Sequence, residues 1–134
     1  MSIKLNSIYK NQIIKGIKNA INYCDKTISA NSLKDKEVNF WHVNSELEYS
    51  LFYFNLSLVK EEDSFRWKPN KKLKDKLKNL NLETKLKLIR KTLFKIIELF
   101  STDFYSSYKQ TVITRTLSNL IYKEITKKLK GGIK

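Results

Sequence analysis

Apolar residues recur along this chain at steps of three and four, the spacing that places them on one side of an α-helix. Ile14, Ile17, Ile21, Cys24 and Ile28 do so near the N-terminus and predict a first helix over about residues 7–28. Lys15, Lys18, Asn19 and Asn22 fall largely off that face. Gly16 costs about 1 kcal/mol against Ala inside a helix, and its use there suits a close helix contact. Residues 29–39 read as a connection in which Ser32 to Asp35 has the form of a capping box and begins a short helical turn.

Phe40, Val43, Leu47, Leu51, Phe54 and Leu58 form the strongest stripe and predict a second helix over about 40–60. Trp41, Phe52, Leu56 and Val59 widen it, which predicts the central helix of a bundle with Phe40, Trp41, Phe52 and Phe54 as core anchors. Residues 61–70 are a charged break in which Phe65 and Trp67 tack the chain to the bundle and Pro69 turns Lys68 away from helix. Leu73, Leu77 and Leu80 predict a short helix across 70–79. Asn81, with Glu83 in the following turn, is the expected N-cap of the next helix. That helix reaches Phe100 on Leu86, Ile89, Leu93, Ile96 and Ile97. Ser101, Thr102 and Asp103 offer caps for a last helix over 104–129, which Gly131 and Gly132 are expected to stop.

These segments predict an all-α fold: a helical bundle of about four main helices plus one short helix. The N- and C-terminal helices are expected to be antiparallel partners of the second. The chain of 134 residues fits a single domain over 1–130 with a flexible tail at 131–134. No internal repeat and no credible strand pair interrupts the helical pattern.

Charge changes the picture. The formal net charge is +14, which points towards an anionic partner such as nucleic acid or an anionic membrane. Of the 27 basic residues only Arg66, Arg90 and Arg115 are arginines. Lysine, asparagine and isoleucine together are the signature of A/T-rich codons, so total charge alone argues little. Its distribution argues more: residues 31–67 are net acidic, whereas ten lysines and Arg90 crowd into 68–95 against Asp75 and Glu83.

A phosphate-tracking face is the expected function of that stretch. Lys71, Lys72, Lys74, Lys76 and Lys78 lead into Lys85, Lys87, Arg90, Lys91 and Lys95, and Arg115 on the last helix joins them. Tyr105 and Tyr108 are candidate base-stacking platforms for RNA or single strands. The plain alternative is a solvated lysine face. No named nucleic-acid motif is present.

Other chemistry has less support. His42, the only histidine, stands four residues before Glu46, the spacing at which a carboxylate orients an imidazole; a surface pair is the ordinary reading. Glu48 shares the second apolar side with Trp41 and Phe52 and needs a partner such as Arg90 or Arg115 if buried. His42, Glu46 and Glu48 therefore make one candidate polar site. Cys24 on an apolar face reads as a core thiol. One cysteine and one histidine do not make a zinc site. Three glycines leave no phosphate-cradling loop. No cofactor is expected, and an enzyme is the least supported class.

The N-terminal residues lack the apolar run of a signal peptide. The most apolar stretch, 51–59, is far shorter than the roughly 18 residues of a membrane span, so a cytoplasmic location is expected. The reading that results is a small, basic, non-enzymatic nucleic-acid-binding protein or ribonucleoprotein subunit. Its competitor is a protein-interaction subunit using the aromatic helix 40–59, or a homo-oligomer in which the acidic 31–67 segment meets the basic face of a second copy. Attachment to a membrane surface ranks third, because Leu86, Ile89, Leu93 and Ile96 are needed in the core.

Overall fold

A computed structural model describes residues 2–58 and 67–132, with side chains over 7–58 and 67–131. The described residues form five helices: α1 (Ser2–Ser29), α2 (Leu33–Leu58), α3 (Lys71–Lys78), α4 (Leu82–Phe100) and α5 (Phe104–Gly132). The all-α bundle expected from the apolar spacing is what forms. None of these helices is long and apolar enough to cross a membrane.

Caps fix the starts. The Ser32 hydroxyl accepts from the Asp35 N–H at 3.1 Å, so α2 begins seven residues before the apolar stripe does. The expected connection 29–39 shrinks to a tight turn, because the cap outweighs the polar surface of its first two turns. Asn70 and Asn81 cap α3 and α4 through the N–H groups of Leu73 and Thr84. Asp103 caps α5. At the other end α5 runs on through Gly131 and Gly132 instead of stopping before them. The expected end of α2 at Lys60, the contributions of Val59 and Phe65, and residues 133–134 lie outside the described residues.

Four long helices form a square in the cyclic order α1, α2, α5, α4. Cross-contacts give the directions. Ser50 on α2 donates to the Ile13 carbonyl on α1 while His42 stacks on Tyr23, so the two run antiparallel. Phe54 meets Phe104 and Tyr108 while Glu48 meets Arg115, so α2 and α5 are antiparallel as well. Lys85 with Glu124 and Ser107 with the Ile96 carbonyl set α4 against α5. Hence α2 and α4 point the same way across the diagonal. The chain leaving α2 must return along the whole bundle before α4 can start.

The described part of that return crossover, residues 67–81, runs along the outer side of α5. Trp67 lies beside Lys109, α3 lies against Arg115–Leu120, and Lys85 reaches Glu124. As a result α5 is enclosed by α2, α4 and α3. The enclosed helix is therefore α5 and not α2, and Tyr108 and Val112 are buried beneath the crossover side.

The stripe on α2 is core as expected: Phe40, Val43, Leu47, Leu51, Phe54 and Leu58 are all buried. Each such side chain contributes roughly 1.5–3 kcal/mol by leaving water. Trp41 and Phe52, which were expected to widen it, do not join them. Trp41 is 53% exposed and Phe52 57%, because nothing among the described residues packs on that side of α2. The core face of α1 is Ile13, Ile17, Ala20, Cys24 and Thr27. It is turned by about one residue from the face that isoleucine spacing predicts, and Ile28 is left exposed. Small residues cause the turn. A Cβ at Gly16 would collide with Ser50 Oγ and lie 3.0 Å from the Glu46 carbonyl oxygen, so α1 and α2 meet along Gly16 and Ala20.

Polar groups in the core are paired. Ser50 Oγ donates to the Ile13 carbonyl at 2.9 Å, Ser107 Oγ to that of Ile96 at 2.7 Å, and Ser118 Oγ to Asn44. Among the described residues no buried side-chain nitrogen or oxygen lacks a partner, which burial requires.

Candidate nucleic-acid interface

α3 is an amphipathic turn laid on α5. Buried Pro69 ends the extended approach, and Asn70 Oδ1 accepts from the Leu73 N–H at 2.9 Å. Leu77 is buried, and Leu73 and Leu80 pack against the core. Lys71, Lys72, Lys74, Lys76 and Lys78 are therefore left exposed. Lys72 with Lys76 and Lys74 with Lys78 stand at i, i+4, where like charges repel by a few tenths of a kcal/mol. None of the five is ion-paired among the described residues, and Asp75 is the single acid of the helix.

The basic residues of α4 are placed differently. Lys85 was expected in the phosphate-tracking face; instead it is 5% exposed and held by Glu124 at 2.8 Å. An ammonium buried in this way cannot reach a phosphate without breaking its pair. Arg90 bonds Asp25 of α1 at 2.6 Å and lies over the Phe94 ring. Hydrogen bonding to Asp25 raises the Arg90 pKa further. Lys87 pairs with Glu83 at 3.3 Å and Lys95 with Glu98 at 3.1 Å. Lys91 is exposed between them. The column Lys87, Lys91, Lys95 is thus a solvated face that carries its own counter-charges. It stands on α4, while the α3 lysines ride on α5, so the basic stretch is divided between two elements.

Arg115 belongs with α3. Together with Lys74, Lys78, Thr116 and Asn119 it lines a groove of about 380 Å³ between α3 and α5, which Asp75 and Leu120 complete. Its Nη1 is 3.5 Å from Glu48 Oε1, and the two side chains are 39% and 56% exposed. Glu48 is therefore not the buried acid considered from its apolar neighbours. It faces solvent beside Arg115, which was one of its two candidate partners.

His42, Glu46 and Glu48 do not converge. The His42 ring stacks on Tyr23 at 4.4 Å with Trp41 edge-on at 5.1 Å. Glu46 accepts instead from Asn19 Nδ2 at 3.4 Å. Cys24 is fully buried, and burial, followed by the charge of Asp25, pushes its thiol up to about 12. It is a core thiol without thiolate character. Among the described residues no three His, Cys, Asp or Glu side chains gather closely enough to hold a metal.

The expected stacking tyrosines also change role. Tyr108 is 2% exposed, and Tyr105 is half-buried against it with Lys109 over its ring at 4.7 Å. Tyr108 is a core residue and offers no face to a base. Sequence reasoning missed the groove walls Thr116 and Asn119 and the partners Asp25 and Glu124. Nothing in local spacing marks them, because each meets its neighbour only through the bundle. Comparison with family models, with curated proteins and with solved structures returned no match for this chain.

Proposed function

We propose that this protein is a non-enzymatic nucleic-acid-binding protein that holds the phosphate backbone of RNA, or of another single strand, on α3 and the adjoining groove. The observation that carries the reading is the five exposed lysines of α3, none of them ion-paired among the described residues. Phosphates release counterions when such groups neutralise them, which gives binding that is independent of sequence and steep in salt. The α4 lysines contribute less, because Glu83 and Glu98 already compensate two of them.

The test is fluorescence anisotropy with labelled single-stranded RNA across a salt series. The slope of log K against log salt should imply several neutralised phosphates. It should drop by about one or more in Lys74→Gln/Lys78→Gln, at roughly 0.7 per lost phosphate contact on a single strand, and by less in Lys87→Gln/Lys91→Gln. Equal losses in the two variants would reject α3 as the contact, and no binding near 0.15 M salt would reject the function.

A second reading has its own observation. Val38, Trp41 and Phe52 expose apolar surface along α2, and Trp41 rims a shallow groove with Glu37, Val38 and Tyr122. A protein partner or second copy covering this side would make the chain an interaction subunit. Sedimentation showing a monomer whose Trp41 fluorescence no partner alters would remove that alternative.

A further inference from the structure

We propose that the groove between α3 and α5 is a phosphate subsite in which Glu48 competes with the bound phosphate for Arg115. The inference rests on the nucleic-acid reading above for its macromolecular ligand, though the chemistry requires only a phosphate oxyanion.

Lys74 and Lys78 come from one wall of the groove and Arg115, Thr116 and Asn119 from the other. The lysines supply point charge. Among the described lining residues Arg115 is the one with a planar fork of donors matched to two oxygens of a phosphate. Asn119 adds a neutral donor, the Thr116 hydroxyl being spent on the Val112 carbonyl at 3.1 Å. Asp75 is the one carboxylate among the described lining residues, so that set is net cationic. Arg115 stands on the α5 surface between α2 and α3, and its guanidinium is within reach of a second anion, the Glu48 carboxylate, at 3.5 Å.

That pair is loosely held. Both partners are more than a third exposed and the separation is long for a charge-assisted hydrogen bond. An exposed pair of this kind exchanges readily for a better-placed anion. By contrast Arg90 sits at 2.6 Å from Asp25, and Lys85 is buried on Glu124. Arg115 is therefore the cation of this surface that is positioned but releasable. Glu48 holds it in place without a ligand and weakens the subsite by the free energy of the exchange.

The sign of a mutation follows. Glu48→Gln removes the competitor and should tighten RNA binding about two- to fivefold, the range set by an exposed ion pair. Arg115→Gln should weaken binding and lower the salt slope by roughly 0.7 to 1. In the Arg115→Gln background the Glu48→Gln gain should disappear, since the contested group is gone. Glu37→Gln is the control for general charge, because Glu37 pairs with Lys34 on the same helix.

The experiment measures labelled RNA by anisotropy for the full chain and these variants. Inorganic pyrophosphate is titrated in parallel, followed by the backbone amide shifts of residues 115–120. Melting temperatures within a few degrees of the parent confirm that the exposed substitutions leave the bundle intact. A gain from Glu48→Gln that vanishes with Arg115→Gln supports the competition. A gain that persists without Arg115, or that Glu37→Gln matches, overturns it even if RNA still binds through α3. If RNA does not bind but pyrophosphate shifts the groove amides, more strongly in Glu48→Gln and not in Arg115→Gln, the subsite stands and the nucleic-acid function falls. If neither ligand binds, both fall.

Discussion

At the scale of the residue, burial decides what each charged side chain can do. Lys85 and Lys87 are two positions apart in one basic run, yet Lys87 is solvated and Lys85 is closed off against Glu124. Removing one partner of the buried pair should cost more than replacing the cation by an apolar group of similar shape. Glu124→Ala leaves the Lys85 ammonium buried without its anion, and we expect a loss of about 2–4 kcal/mol, moderated because Glu124 is itself a quarter exposed. Lys85→Met keeps the packed stem and deletes the charge, so its cost should stay within about 1 kcal/mol. Urea denaturation of both variants checks the order. A smaller loss for Glu124→Ala than for Lys85→Met would mean that the pair is not desolvated as its burial implies. RNA affinity is the second readout, and Lys85→Met should leave it nearly unchanged.

At the scale of the element, local signals were legible where they act within one turn, and tertiary contacts settled the rest. Ser32, Asn81 and Asp103 stand where helices start because a side-chain oxygen can take an orphan N–H, and that rule needs no knowledge of neighbours. The six-residue stripe of α2 was legible for the same reason. The face of α1 was not, because isoleucine spacing ignores Gly16 and Ala20, whose smallness sets where α2 approaches. Trp41 and Phe52 misled in the other direction, since apolar character does not reveal whether a neighbour exists on that side. The cap of α5 gives a pH prediction. Hydrogen bonds from the Ser106 hydroxyl and N–H hold the Asp103 carboxyl below its ordinary value. A pKa lowered by folding means that the unfolded chain binds the proton more readily. The cap therefore contributes fully above the ordinary carboxyl range, and its contribution fades as pH falls through that range towards the lowered value. Asp103→Asn keeps an accepting oxygen and does not titrate. The melting temperature of the parent should exceed that of Asp103→Asn near neutrality, and the gap should narrow as pH falls below the ordinary carboxyl range. A gap that is constant with pH would show that the charge of Asp103 plays no part in the cap.

At the scale of the whole molecule, the organising fact is that α2 and α4 run in the same direction. Helix lengths and caps do not encode it. It follows from which helices meet, and it forces the crossover that carries α3 onto α5, divides the basic stretch and builds the groove beside Arg115. It also makes the bundle interdependent. The first helix packs on α2 through Gly16 and Ser50 and on α4 through the Asp25–Arg90 pair, so α1 cannot leave without opening the core from two sides. Cys24 reports on this directly. Its thiol is fully buried and pushed up to about 12, so at pH 8 a folded molecule offers almost no thiolate to a disulfide reagent, whereas an unfolded thiol near 8.5 reacts readily. Labelling must then pass through an opened state, and its rate follows the free energy of that opening. If α1 opens only with the whole bundle, labelling across a urea series should track global unfolding measured by circular dichroism. Gly16→Ala, which forces α1 and α2 apart against the Glu46 backbone, should accelerate labelling by the factor that its stability loss dictates. Labelling that is fast in the absence of urea and indifferent to stability would mean that α1 detaches alone, and that α2, α4 and α5 hold together without it.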